Sequence, residues 1–304
     1  MPPRFLLPDG EIADGVRAIL PSGEWLTFSD AASGADVSDV EFYVPPYMRW
    51  ADALDMMGRL PRLQVVQLLT AGIDWIAPHV SPSVMLCRGV GVHEASVTEL
   101  VITAVLALTK DIPDFVRHQG NAEWAHRRTR GLRGAEAVIL GYGAIGRATG
   151  VALEALGVDV TGVSRRGRPP SVGIGDLARL LPTCDVLVIL LPLTEETRGI
   201  VDADLLQLLP DGALVVNVSR GQVVAAEPLE RELVSGRLRA ALDVTDPEPL
   251  PHESPLWHLP NVLITPHVGG DSDLFPRFAA RLVAEQMTRY LEGKPLKHQV
   301  LGSY

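Results

Sequence analysis

A glycine-rich turn is the first segment of the chain whose residues are spaced for a definite chemistry. Gly141, Gly143 and Gly146 follow an apolar strand directly and open a helix. In that setting the first glycine permits a tight turn, the second lets the backbone approach a pyrophosphate, and the third allows close helix–strand contact. The amides of Ala144 and Ile145 add hydrogen-bond donors at the positive end of the helix dipole. The spacing therefore indicates a dinucleotide-binding site.

A basic segment closes the next strand, about 20 residues after the glycine turn. Ser164, Arg165 and Arg166 stand where an NAD site usually has an acidic residue that binds the ribose 2′-hydroxyl. Guanidinium groups can bind a 2′-phosphate through paired hydrogen bonds, whereas a carboxylate would repel it. We therefore expect NADP(H) to be preferred and NAD(H) to be possible; arginines that simply lie in solvent are the alternative interpretation.

Three more polar segments follow or close predicted strands. They are Val216–Gly221, Leu242–Leu250 and Thr265–Gly270. Open α/β sheets bind ligands beyond the carboxyl ends of their strands, which is where these segments lie. Together with the glycine turn and Leu191–Thr194, they resemble the D-isomer-specific 2-hydroxyacid dehydrogenase family. The resemblance covers nearly the whole chain from about Ala71 onward.

By that resemblance, Arg220, Glu248 and His267 fill the catalytic positions of the family. Reduction of a 2-oxo acid needs a hydride and a proton, and an imidazole, whose ordinary pKa is about 6.5, can exchange that proton near neutral pH. Glu248 would bind the other ring nitrogen of His267 and favour its protonated form. Arg220 would bind the substrate carboxylate and polarise the carbonyl.

The resemblance also implies the remaining contacts of the site. Asp243 would bind the nicotinamide carboxamide, and the backbone of Ala71 and Gly72 would bind the substrate carboxylate together with Arg220 and His267. The other cofactor contacts implied are Pro192, Val218, Ser219, Arg220, His267 and Gly269.

The family contains several activities. The short chain and the Arg165-Arg166 pair favour NADPH-dependent reduction of glyoxylate or hydroxypyruvate. A phosphoglycerate dehydrogenase-like enzyme or another 2-oxo acid reductase is the alternative. A third possibility from a different class is a nucleotide-sensing binding protein, because transcriptional corepressors resemble the same fold and can retain the trio.

The elements that position these residues alternate between apolar strands and amphipathic helices, a pattern that predicts the α/β class with doubly wound parallel sheets. In the first part of the chain we expect a helix at Ala51–Leu60 and strands at Arg4–Leu7, Val40–Val44, Leu63–Leu69 and Val84–Cys87. In the second part we expect a helix at Ala144–Leu156 and strands at Glu136–Leu140, Asp159–Val163, Val186–Leu191, Ala213–Val218, Leu238–Val244 and Val262–Thr265. The pattern predicts two Rossmann- or flavodoxin-like domains.

The domain limits follow from two long helices. The helix Ala95–Lys110 crosses into the second domain, and a C-terminal helix with apolar residues from Phe278 to Leu291 returns to the first. We expect a discontinuous substrate domain, residues 1–94 plus 273–304, and a dinucleotide-binding domain, residues 95–272. The arginine-rich stretch Gln119–Gly134 is expected to be a solvated loop.

Composition excludes several classes of protein. The 304 residues carry a net charge of −10 and no long basic run, which argues against nucleic acid or an anionic membrane as partner. No apolar run approaches the ~20 residues of a membrane span, and the N-terminus lacks a signal-peptide pattern. Cys87 and Cys184 are expected to be buried thiols and no metal site is expected, since His93-Glu94 lacks the second histidine of a zinc motif. We expect a cytoplasmic protein, and by family resemblance a homodimer.

Overall fold

The computed structural model describes residues 4–300. The chain divides into two compact units. The first contains the described residues up to His93 together with those from Asp271 onward, and the second contains Glu94–Gly270. The first unit is therefore built from two separate stretches of sequence.

The first unit is built on a five-stranded sheet in the order β2-β1-β3-β4-β5. All its strand pairings are parallel, and this order is the flavodoxin-like one. The strands are β1 (Arg4–Leu7), β2 (Leu26–Thr27), β3 (Val40–Tyr43), β4 (Val65–Gln67) and β5 (Met85–Cys87). The helices are α1 (Glu11–Ile19), α2 (Phe28–Ala32), α3 (Trp50–Gly58) and, from the end of the chain, α10 (Phe275–Leu291).

Helix α10 belongs to the first unit because it packs on α1. A Cβ built on Gly15 of α1 would lie 2.7 Å from the Cβ of Ala280, so only a glycine allows this approach. Gln286 is fully buried and donates to Gln67 Oε1 (2.6 Å) and to the carbonyl of Lys297 (2.9 Å). These bonds satisfy the buried amide and tie α10 to β4 and to the C-terminal segment.

The second unit is built on a seven-stranded parallel sheet in the order β12-β11-β10-β9-β6-β7-β8. The strands are β6 (Glu136–Leu140), β7 (Asp159–Ser164), β8 (Val172–Gly173), β9 (Val186–Ile189), β10 (Leu214–Asn217), β11 (Arg239–Leu242) and β12 (Val262–Ile264). The helices are α4 (Glu94–Thr109), α5 (Ile112–Gly120), α6 (Ala144–Ala155), α7 (Leu177–Leu180), α8 (Ala203–Leu208) and α9 (Ala226–Val234). Six of its strands follow the Rossmann order, with β12 added beside β11.

The sheet of the second unit is buried on both faces. Val138 and Leu140 of β6 lie in one apolar cluster, and Ala137 and Ile139 lie in the other. Side chains alternate between the faces of a strand, so a strand covered on both sides is apolar throughout. The predicted α/β class with two doubly wound parallel sheets is confirmed.

From Asn121 onward the arginine-rich stretch is, as predicted, a largely exposed loop without helix or strand. Its first residues complete α5, and Arg127 forms ion pairs with Asp111 and Asp114 while its guanidinium lies over the Phe115 ring, 4.8 Å from the centroid. Arg130 donates to the carbonyl of Gly212 at 2.9 Å. Two of the arginines therefore hold the segment within the second unit, because nearby carboxylates and carbonyls compete with water for them.

The two cysteines are free and buried. Burial raises the pKa of Cys87 and that of Cys184 to about 12, so both remain protonated thiols at neutral pH. In the described part of the chain, no helix is long and apolar enough to span a lipid bilayer.

Candidate active site

The glycine turn lies between β6 and α6, at the point where the strand order of the second unit reverses. Gly141 has a φ of 108°, and a Cβ there would lie 2.6 Å from the carbonyl carbon of Leu190, in the loop after β9. A Cβ on Gly146 would collide with the carbonyl oxygen of Gly141, whereas one on Gly143 would meet no atom within 4 Å. No side chain caps α6, which begins at Ala144. The turn therefore fits a dinucleotide pyrophosphate, with open space and backbone donors at the helix N-terminus.

Tyr142, between the first two glycines, anchors the turn. A Cβ on Gly162 of β7 would overlap the Tyr142 ring, and a Cβ on Gly150 of α6 would lie 2.8 Å from its hydroxyl oxygen. Its side chain therefore packs on a strand and a helix through two positions that have no side chain. No role for Tyr142 is predicted from the sequence.

An arginine groove lies beside the end of β7. Its walls include the predicted Arg165 and Arg166, and also Arg147 and Arg168, which sequence analysis missed. Arg147 comes from the first turn of α6, immediately after Gly146, and Arg168 comes from the turn that follows β7. Four guanidinium groups around one groove make a site for a strongly negative group.

The hydroxyl of Ser164 is hydrogen-bonded to the hydroxyl of Ser171. Ser171 Oγ lies 2.7 Å from the carbonyl of Arg168, and it must donate this bond because a carbonyl only accepts. Ser171 therefore has no second proton, so Ser164 donates in the 2.6 Å bond between the two hydroxyls. In this arrangement Ser164 closes the arginine-bearing turn and has no proton left for a cofactor phosphate.

The loop after β10 carries Arg220 and is organised by Asn217. Asn217 is 1% exposed; its Oδ1 accepts from the amide and hydroxyl of Ser219, and its Nδ2 donates to the carbonyl of Arg220 at 3.0 Å. Arg220 is partly buried, and one of its guanidinium nitrogens donates to the carbonyl of Ser219 at 2.8 Å. An asparagine at the end of an apolar strand was the signal that could have identified this buried positioning residue.

Gly221 lets two loops of the site meet. A Cβ on Gly221 would overlap the carbonyl oxygen of Thr245, in the loop after β11. Any side chain at this position would push apart the loop that carries Arg220 and the loop that leads to Glu248. The backbone approach therefore brings the predicted trio toward one edge of the sheet.

Asp243, at the end of β11, holds the His267 loop. Its Oδ1 accepts from the Thr265 hydroxyl (2.5 Å) and the Val268 amide (2.9 Å), its Oδ2 accepts from the Gly269 amide (2.9 Å), and its carbonyl accepts from the His267 amide (2.8 Å). Asp243 is 4% exposed. The loop thus wraps around one buried carboxylate, which stabilises the left-handed backbone of His267 (φ 54°).

His267 and Glu248 form the pair predicted from the sequence. The Nδ1 of His267 lies 2.6 Å from Oε1 of Glu248, and both side chains are partly exposed. The carboxylate sets the orientation of the ring and leaves Nε2 for proton exchange with a ligand. This arrangement can deliver a proton at a fixed position or remove one.

The remaining predicted site residues lie in several places. Pro192 is exposed in the loop after β9, Val218 is partly buried after β10, and Ala71 and Gly72 belong to the first unit, where they follow β4. The carbonyl of Gly72 accepts from the hydroxyl of Thr70 at 2.8 Å. The functions predicted for these four residues stay predictions.

Comparison with known proteins identifies the family. Residues 102–269 match the family model described as "D-isomer specific 2-hydroxyacid dehydrogenase, NAD binding domain". The chain belongs to the D-isomer-specific 2-hydroxyacid dehydrogenase family. It is thus a member of a family of NAD(P)-dependent oxidoreductases, and the predicted resemblance is confirmed.

Two curated relatives are named for reactions on different substrates. Glyoxylate/hydroxypyruvate reductase A of Salmonella typhimurium is 33% identical over 269 residues, which are 83% of this chain and 84% of that protein. D-3-phosphoglycerate dehydrogenase of Methanocaldococcus jannaschii is 28% identical over 251 residues, which are 79% of this chain and 48% of that protein. The family is the same in both, but the named reactions differ.

A solved structure is similar over almost the full length. It is an NADPH-dependent glyoxylate/hydroxypyruvate reductase of Sinorhizobium meliloti in complex with NADP and sulfate. The TM-score is 0.86 at 30% sequence identity, covering 99% of this chain and 98% of that one. The likeness supports the same fold throughout the 2-hydroxyacid dehydrogenase chain.

Proposed function

We propose that this 2-hydroxyacid dehydrogenase is an NADPH-dependent reductase of small 2-oxo acids, with glyoxylate and hydroxypyruvate as the first candidates. The observation that carries the proposal is the His267–Glu248 pair, joined at 2.6 Å in the same unit as a glycine turn that fits a dinucleotide. The named reactions of the Salmonella and Sinorhizobium proteins support the choice of substrate.

NADP(H) is proposed as the cofactor because of the arginine groove. Arg147, Arg165, Arg166 and Arg168 line it, and none of the described acidic residues does. The amides of Ala144, Ile145 and Gly146 would hold the pyrophosphate at the N-terminus of α6. When bound, the reduced nicotinamide supplies the hydride that the carbonyl carbon of the substrate accepts.

The residues of this chain supply the proton and the charge in the proposed reaction. His267, protonated at Nε2, would donate to the carbonyl oxygen as negative charge develops there, and Glu248 would stabilise the imidazolium through Nδ1. Arg220 would bind the substrate carboxylate and so place the carbonyl near His267. In the oxidative direction His267 would accept the proton from the hydroxyl group.

A phosphoglycerate dehydrogenase-like activity is the second candidate. The 28% identical relative from Methanocaldococcus jannaschii favours it, although this chain spans about half of that protein's length. A panel of 2-oxo acids tested for NADPH consumption separates the two candidates. A binding protein of the same fold would consume no NADPH with any of them.

We propose a homodimer in the cytoplasm as the working form. Support for self-association comes from apolar side chains on α5 and the segment after it, where Ile112 is 48%, Val116 59% and Trp124 96% exposed. Exposed apolar side chains grouped on one segment are typical of protein interfaces. The ion pairs of Arg127 hold this segment in a defined conformation that a second copy could bind.

A further inference from the structure

Glu196 is an acidic residue that forms an ion pair with one arginine of the groove. It lies in the loop after β9, and its Oε1 is 2.6 Å from an Nη of Arg165. Arg165 is the first arginine after β7 and one of the residues predicted to bind a 2′-phosphate. One carboxylate thus binds a guanidinium that the proposed cofactor would also need.

Among the described residues, the other arginines of the groove have no carboxylate partner of this kind. Within residues 4–300, no ion pair with a carboxylate is found for Arg147, Arg166 or Arg168. Glu196 is therefore the acidic group through which the structure partly neutralises the groove. Glu196 does not line the groove itself, but its carboxylate lies 2.6 Å from the guanidinium of Arg165, which does.

The pair between Arg165 and Glu196 is a surface pair. The two side chains are 75% and 63% exposed, so water and salt screen their attraction and the pair contributes little to folding. Removing the charge of Glu196 should leave the fold intact. A bound phosphate must share Arg165 with the carboxylate or displace it, and in both cases it meets a like charge at short range.

We propose that Glu196 is a specificity-determining residue that weakens the preference of this chain for a cofactor with a 2′-phosphate. It lowers the affinity for NADP(H) and leaves the affinity for NAD(H) unchanged, because only the former carries the additional negative charge. This inference rests on the proposed function, since it takes the arginine groove to be the 2′-phosphate site.

The test replaces Glu196 by glutamine, which keeps the shape and a carbonyl oxygen for Arg165 but removes the charge. Glu195→Gln is the matched control, because Glu195 is exposed, adjacent, and without an ion pair in the described structure. Dissociation constants are measured by calorimetry for NADPH, NADH, 2′-AMP and 5′-AMP at low and at high salt. Melting temperatures of both variants check the fold.

We expect Glu196→Gln to bind NADPH and 2′-AMP about two- to fivefold more tightly than the wild type, with NADH and 5′-AMP unchanged. The gain should shrink at high salt, and Glu195→Gln should show a smaller gain or none. Unchanged or weaker binding of 2′-AMP by Glu196→Gln, or an equal gain for 5′-AMP, would overturn the inference. So would an equal effect of Glu195→Gln.

A different measurement, made on the wild type, tests the proposed cofactor preference. If the wild type binds NADPH no more tightly than NADH, the preference is wrong. In that case, tighter binding of 2′-AMP but not of 5′-AMP by Glu196→Gln would still support this inference. Unchanged binding of both nucleotides would contradict it.

Discussion

His267 would carry the proton in the proposed reaction, and the neighbouring side chains decide where that proton is held. Glu248 orients the ring through Nδ1, and Asp243 fixes the loop through four accepted hydrogen bonds. A residue in the left-handed region keeps that backbone only where its surroundings impose it. The site is thus organised from a buried carboxylate outward to a partly exposed imidazole.

Arg220 is the proposed ligand of the substrate carboxylate and would act both in binding and in the transition state. Replacing Arg220 by Ala should therefore raise KM and lower kcat together, with kcat/KM falling about 10²–10³-fold, as when one charge-stabilising donor is lost. Arg220→Lys, which keeps the charge without the planar fork, should recover part of the loss. Steady-state kinetics with saturating NADPH measure the effect, and wild-type values for Arg220→Ala would refute the assignment.

Ser164 donates the single proton of its hydroxyl to Ser171. We therefore expect Ser164 to affect cofactor binding by holding the arginine turn, without contacting the phosphate itself. Both Ser171→Ala and Ser164→Ala should loosen the arginine turn and weaken NADPH binding by a similar factor, about three- to tenfold, with little change for NADH. Fluorescence titration with the two cofactors measures the change. A much larger loss in Ser164→Ala than in Ser171→Ala would show instead that Ser164 contacts the phosphate itself.

At the scale of elements, the site depends on close backbone approaches between loops at one edge of a parallel sheet. Gly141 lies against the loop after β9, and Gly221 lies against the loop after β11. Each approach joins the ends of neighbouring strands, so that residues far apart in sequence come together.

Gly221→Ala should separate the loop of Arg220 from the loop that leads to Glu248. Because a shift of ~1 Å in a reacting group can cost about 10²-fold in rate, kcat should fall by about that factor while NADPH still binds at the intact glycine turn. The control is Gly175→Ala, since a Cβ on Gly175 meets no atom within 4 Å. Comparable kcat values for Gly221→Ala, Gly175→Ala and the wild type would contradict this view of the two loops.

Much of the fold follows from periodicity and from the glycine turn. Strands rich in Val, Leu and Ile, such as β9 and β10, are recognisable because they are buried on both faces. The two-residue strands β2 and β8 and the short helices α2, α7 and α8 were not predicted, since such short segments carry no clear period. Tertiary contacts, rather than local preference, define them.

Some residues of the site were predicted from the sequence and others were not. The pairing of His267 with Glu248 was expected from family resemblance, and the structure contains it. Arg147 and Arg168 were missed because only the folded turn brings them to the groove of Arg165. The direction of a hydroxyl proton, as at Ser164, depends on partners that the local sequence does not specify.

At the scale of the whole molecule, the proposed dimer would bury the exposed apolar residues of α5 and of the segment that follows it. Trp124, 96% exposed, offers the largest apolar surface of the three named side chains. Trp124→Ala combined with Val116→Asp should shift the chain from dimer toward monomer in analytical ultracentrifugation, with little loss of monomer stability. Trp257→Ala, at a 47% exposed position outside this segment, is the control. A monomeric wild type, or a double variant as dimeric as the wild type, would contradict the proposal.

The central claim is that this 2-hydroxyacid dehydrogenase reduces a small 2-oxo acid with NADPH, using His267 as the proton donor. The most direct measurement follows the loss of NADPH absorbance with glyoxylate, hydroxypyruvate, pyruvate, phenylpyruvate and branched 2-oxo acids, for the wild type and His267→Gln. We predict that the wild type consumes NADPH faster than NADH with glyoxylate or hydroxypyruvate, and that His267→Gln lowers kcat about 10²–10⁴-fold while still binding NADPH. A wild type that binds NADPH but consumes none with any of these acids, or a His267→Gln variant as fast as the wild type, would contradict the claim.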